Sequence, residues 1–154
     1  MANQCNKQFC RDRKSRQISL KEAVEECSCV TKNSTVKLNE NRASWELSNK
    51  NETKITVTSI DSCIEVLKDK KKCDFMVSWE KGPICYIELK GSDHKSGCEQ
   101  LLATVEHFSS LHAGKKRICY LAANPPASSS LIQAKMKEFS KKKVSFSVDR
   151  KISI

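Results

Sequence analysis

Acidic residues are in short supply in this 154-residue chain: 18 Asp and Glu face 28 Lys and Arg, giving a formal net charge of +10. That imbalance argues against a cationic partner and for a polyanionic one such as nucleic acid. Long apolar runs are missing as well, and a bilayer-spanning helix needs about 20 such residues. The opening Met1-Ala2-Asn3-Gln4-Cys5 has no apolar signal-peptide core, so a cytosolic protein with no membrane partner is expected. Glycine is scarce, four residues widely spaced, which excludes a glycine-rich phosphate loop. Ser128-Ser129-Ser130 has no histidine-linked logic of a serine nucleophile and reads as a loop and helix cap. No repeat or low-complexity linker breaks the chain, and its length suits one core.

Cysteine, by contrast, is abundant at nine residues. An odd number without a secretion signal argues against a disulfide framework. Cys63, Cys73, Cys85 and Cys119 fall in apolar strand-like runs and are expected as reduced, buried thiols, with Cys98 on a helix's buried stripe. Cys5, Cys10, Cys27 and Cys29 could hold a structural zinc, but C-x4-C followed by C-x-C departs from the usual C-x2-C spacing.

Residues 1–17 read as a basic flexible tail around Arg11, Arg13, Lys14 and Arg16, and 18–154 as one domain. Ser19 caps a helix, with Glu22 three residues on, that fades near Thr31-Lys32-Asn33. Thr35–Leu38 and Ser44–Leu47 alternate as short strands, and Lys54–Ile60 is a β-branched strand. A helix from Lys95 or Ser96 to Ala113, closed by Gly114, places Cys98, Leu101, Leu102, Val105 and Phe108 on one stripe. Ile118–Ala123 is a buried strand stopped by Asn124-Pro125-Pro126. A helix over 129–141 packs through Leu131, Ile132, Lys135, Met136 and Phe139, and a last strand carries Val144, Phe146 and Val148. The order predicts an α/β fold, a mixed central sheet flanked by helices.

The stretch from Lys70 to Lys90 carries the chemistry. Two apolar runs flank the turn Trp79-Glu80-Lys81-Gly82-Pro83 and form an antiparallel hairpin that brings Asp74 near Glu88. Strand alternation puts Glu88 and Lys90 on one face, Ile87 and Leu89 on the other. Charges inside apolar strands cost solvation unless they pair with each other, a metal or a substrate. Two carboxylates and a lysine are the inventory that binds a hard divalent cation and acts on a phosphodiester. The plainer reading is an internal Glu88–Lys90 ion pair with Asp74 capping a turn.

Asp74, the turn, Glu88-Leu89-Lys90, Gly91 and a helix holding Glu99-Gln100 resemble the core of the PD-(D/E)xK nuclease superfamily. The chain has Cys73 where the motif's name has proline. The resemblance implies a restriction-endonuclease-like fold and Mg²⁺ (or Mn²⁺) on Asp74 and Glu88, with the Leu89 carbonyl as a further ligand. It also implies catalytic roles for Asp74, Glu88, Lys90 and Gln100, with Glu99 a weaker option beside Gln100. Glu22, Glu25, Glu26, Glu40 and Glu46 all stay open as the further acid that many members contribute from an earlier helix. The substrate implied is nucleic acid, DNA before RNA, and a homodimer follows by analogy with members that cut both strands. Lys68–Lys72, Lys115–Arg117 and Lys141–Lys143 would hold phosphates. His94 lies near the site, while His107 and His112 are expected at a surface or boundary. The competing function is a catalytically silent interaction protein of the same fold, antitoxin-like or regulatory.

Overall fold

The computed structural model describes residues 18–154. Helix α1 (Leu20–Glu26) opens on a reciprocal capping box: the Ser19 hydroxyl accepts from the Glu22 amide, and the Glu22 carboxylate accepts from the Ser19 amide. Such a cap is worth about 1 kcal/mol. The helix stops at Cys27, earlier than its sequence suggests, because the next residues form strand β1 (Ser28–Thr31). Strands β2 (Thr35–Glu40) and β3 (Ala43–Ser48) make a tight hairpin, followed by β4 (Ile55–Ser59). A 3-10 turn at Glu65–Leu67 leads to β5 (Phe75–Trp79) and β6 (Ile84–Lys90). Helix α2 (His94–His107), β7 (Arg117–Ala123), α3 (Ser129–Lys141), β8 (Ser145–Ser147) and β9 (Lys151–Ser153) complete the chain.

The fold is α/β. Its main sheet has the order β1-β4-β5-β6-β7-β8, antiparallel from β1 to β6 and parallel from β6 to β8. A second sheet, β2-β3-β9, is an addition that the sequence reading did not separate. Strand β6 is central and buried on both faces, which explains why it reads as a nearly continuous apolar run. Ile84 and Tyr86 face a core closed by the helices, with Leu101, Phe108 and Phe139. Cys85, Ile87 and Leu89 face a second core under the small sheet, built on Trp45, Leu47 and Tyr120.

Three expectations change in the structure. Cys63 is not a free thiol: it is bonded to Cys27 across a Cα–Cα distance of 5.8 Å, within the span a disulfide needs. The α1 C-terminus and the loop after β4 pack into one core and bring the two together. Because Cys27 is bonded, it also leaves the candidate zinc set, of which Cys5 and Cys10 lie outside the described residues. Cys73, Cys85, Cys98 and Cys119 are buried free thiols, matching their places in apolar patterns. His112 is buried, not at a boundary: α2 ends at His107, and the turns beyond it fold His112 inward against Phe108, where its Nδ1 meets the Tyr86 hydroxyl at 2.6 Å. Met136 is left exposed, so α3 packs chiefly through Phe139. The described residues contain no helix long and apolar enough to cross a membrane.

Candidate functional site

Strands β5 and β6 pair antiparallel, Phe75 opposite Ile87, so the register extended by one residue sets Asp74 opposite Glu88. Both carboxylates therefore meet where β5 begins and β6 ends. Alternation puts Glu88 on the helix side with Tyr86.

Each group is held by a separate element. The amide of Leu89 donates to Asp74 Oδ2 at 2.8 Å. Lys90 Nζ lies 3.4 Å from Glu88 Oε1 and donates to Gln100 Oε1 at 2.6 Å. Gln100 in turn donates from Nε2 to the Lys72 carbonyl at 3.1 Å. The loop before Asp74 is pinned again by the Cys73 amide, which donates to Thr104 Oγ1 at 2.7 Å. Helix α2 thus fixes both the lysine and the segment that delivers Asp74. It approaches β6 and β7 closely because residue 97 is glycine: a Cβ there would lie 2.6 Å from Leu121 Cδ1 on β7, and 3.4 and 3.5 Å from Lys90 Cγ and Glu88 Cγ on β6.

Electrostatics set these carboxylates apart from surface acids. Glu88 is only 1% exposed, and its Oε2 has no hydrogen-bond partner among the described residues. Burial, then the Asp74 charge, pushes the Glu88 carboxyl up to about 8, against the pull of Lys90. Burial likewise raises Asp74, to about 7, helped by the charges of Glu40 and Asp61 and opposed by the Leu89 amide. Of the five earlier acids, Glu40 is the one whose charge reaches both Asp74 and Glu88. It closes β2, and the packing of that hairpin over Leu89 carries it to the sheet's end. Sequence offered no way to choose it, since the choice depends on how the small sheet docks.

Other candidates fall elsewhere. Glu99 pairs with Lys71 at 2.7 Å, away from Lys90. His94 begins α2 and bonds the Pro125 carbonyl through Nε2 at 2.8 Å. Lys72 is turned inward, its Nζ on the Lys68 and Lys70 carbonyls and 3.3 Å from Asp61. Arg117 opens β7 opposite Ile84, and Lys143 leads toward β8 from the same side. Those two basic runs therefore stand a strand's length, roughly 20 Å, from Lys90.

For a divalent cation, the donor chemistry fits: two apposed carboxylates that repel each other, a third nearby, and a buried oxygen left without a partner. As the side chains stand, no group of three or more His, Cys, Asp or Glu among the described residues is gathered to hold a metal. Comparison with protein-family models, with curated proteins and with solved structures found no match.

Proposed function

We propose that this chain is a Mg²⁺- or Mn²⁺-dependent nuclease with a restriction-endonuclease-like core, hydrolysing phosphodiester bonds of DNA in preference to RNA. The observation that carries the reading is the Asp74–Glu88 pair beside a lysine that Gln100 holds in place. An internal ion pair would satisfy Glu88, yet Glu88 Oε2 stays unpartnered and Lys90 directs its shortest bond to Gln100.

Asp74 and Glu88 would hold the cation, with the Leu89 carbonyl and Glu40 within the same region. When bound, the metal supplies Lewis-acid stabilisation of the phosphoryl oxygens and a water acidic enough to attack. The chain's own work is positional. Gln100 keeps Lys90 directed at the site, where its ammonium orients the attacking water or donates to the transition-state phosphate. The Leu89 amide holds Asp74 in one rotamer. Burial raises both carboxyls, so a cation binding there displaces their protons and binds more tightly as pH rises.

The competing reading is a catalytically silent interaction protein, and one observation favours it: no three-ligand group is assembled among the described residues. Incubation with duplex, branched and single-stranded DNA and with RNA, in Mg²⁺, Mn²⁺ or chelator, separates the two. Metal-dependent cleavage that Lys90→Ala removes supports the nuclease. No cleavage together with an unchanged melting curve in millimolar metal supports the silent protein.

A cytosolic location belongs to the same proposal. The Cys27–Cys63 bond weighs against it, because disulfides persist chiefly in oxidising compartments. Thiol alkylation in intact cells followed by mass spectrometry decides between them: free Cys27 and Cys63 favour the cytosol.

A further inference from the structure

Beside Glu40, whose charge reaches Asp74, lies a cleft of about 390 Å³, between the β2–β3 turn and the segments that follow β6 and β7. Its volume falls inside the range of about 300–1,000 Å³ typical of small-molecule sites. The lining has a clear division of chemistry. The residues that line it include the basic Arg42, the neutral polar Ser92 and Asn124, and the apolar Leu89 and Pro125. Glu40 is the single acid in the lining, on the side where its charge reaches Asp74. Arg42 is exposed, at the tip of the hairpin, and no carboxylate among the described residues forms an ion pair with it. Its carbonyl accepts from Asn124 Nδ2 at 3.2 Å, which ties the tip to the turn after β7 and keeps the cleft's two walls at a fixed spacing.

An unpaired guanidinium prefers an oxyanion that accepts two parallel N–H bonds, and phosphate is the oxyanion the adjoining carboxylates would act on. A flat apolar wall of proline and leucine beside neutral donors and acceptors suits a sugar and base. We infer that the cleft seats one nucleotide unit of a polymeric substrate, adjacent to the scissile bond, with Arg42 on its phosphate and the base against Pro125. The inference rests on the nuclease reading. It makes the β2–β3 hairpin the substrate-holding element and gives the small sheet a function beyond covering the core.

Gly91 provides an independent handle. It lines the cleft, and a Cβ built on it meets no atom within 4 Å, so a side chain can start from this position without a clash at its first carbon.

The test is amide chemical-shift titration of the full chain in chelator with a deoxynucleoside 5′-monophosphate, the parent nucleoside, inorganic phosphate and a short single-stranded oligodeoxynucleotide. The monophosphate should shift the Arg42, Gly91 and Ser92 amides saturably, the nucleoside and phosphate more weakly, and the oligonucleotide should bind most tightly. Arg42→Ala should weaken the monophosphate roughly tenfold or more, the scale of a lost charged hydrogen bond. Gly91→Leu should block it while leaving the remaining spectrum in place. No saturable shift in the wild-type protein, or an affinity in both variants equal to the wild type's, overturns the inference. A monophosphate that binds tighter than the oligonucleotide overturns the polymeric assignment. Cleavage in metal without nucleotide binding here rejects the cleft alone. Binding here without cleavage in any metal rejects the nuclease reading instead.

Discussion

Glu88 carries one oxygen toward Lys90 and one that no hydrogen bond from the described residues reaches, and that asymmetry makes its chemistry testable residue by residue. A buried, unsatisfied polar atom costs about 1–3 kcal/mol, more when charged. Without metal, Glu88→Gln or Asp74→Asn removes one of two carboxylates that repel each other. An asparagine at 74 can still accept the Leu89 amide through its carbonyl. Thermal melts in chelator should show either variant as stable as the wild type or more so. In millimolar Mg²⁺ the wild type should gain stability through linkage, and both variants should lose that gain together with cleavage. Lys90→Ala should separate the two readouts. The ammonium that offsets Glu88 is gone, so metal still binds, at least as tightly, while cleavage is lost. Isothermal titration with Mn²⁺ beside a cleavage assay checks this, and a Lys90→Ala protein that cuts at the wild-type rate rejects the assigned role. Sequence made these three residues legible because strand alternation and a short turn fix side-chain neighbours across a hairpin. It did not make Glu40 legible, since no local pattern encodes a contact between two sheets.

Helix α2 is the element on which the site's geometry depends. It was legible from its apolar stripe and from the Gly91 loop before it, but its end was not. The stripe continues through Phe108, while the backbone leaves the helix at His107 and turns until Gly114, whose φ of 73° suits glycine. Helix α1 was overextended for a related reason. Cys27-Ser28-Cys29-Val30-Thr31 offers no proline or glycine stop, and only pairing with β4 converts it to a strand. Gly97 tests the importance of the close approach. In an exposed helix interior Gly→Ala stabilises by about 1 kcal/mol. Here the new methyl meets the fully buried Leu121 side chain, and overpacking costs about 1–3 kcal/mol. Gly97→Ala should therefore lower the melting temperature and move Gln100 relative to Lys90, so that cleavage falls more than metal affinity. A variant more stable than the wild type, with undiminished cleavage, would show that α2 has slack at this point.

Over the whole molecule, two buried sets of groups pull the pH dependence of stability in opposite directions. Asp74 and Glu88 sit above their ordinary carboxyl values, so the folded state keeps protons that the unfolded chain has already released. Their contribution is complete at acid pH and is lost as pH rises, from 3.8 to about 7 for Asp74 and from 4.5 to about 8 for Glu88. His112 does the reverse. Burial, followed by the charges of Lys115 and Arg117, pushes it down to about 4. The unfolded chain takes up that proton first, so stability is lost as pH falls from about 6.5 toward 4. Two carboxyls outweigh one imidazole across the shared window. The metal-free protein should therefore lose melting temperature from pH 5 to pH 8, most steeply near 6.5, where His112 ceases to oppose the trend, and less steeply above about 7, as Asp74 and then Glu88 release their protons. The combined Asp74→Asn, Glu88→Gln variant leaves His112 without opposition from these two carboxyls, and its melting temperature should rise between pH 5 and 6.5. Mg²⁺ takes the place of the retained protons and should flatten the wild-type decline above neutrality. A metal-free wild type that grows more stable from pH 5 to 8 would mean that Asp74 and Glu88 are ionised and satisfied in the folded state, which is the internal ion pair and not a site awaiting a cation.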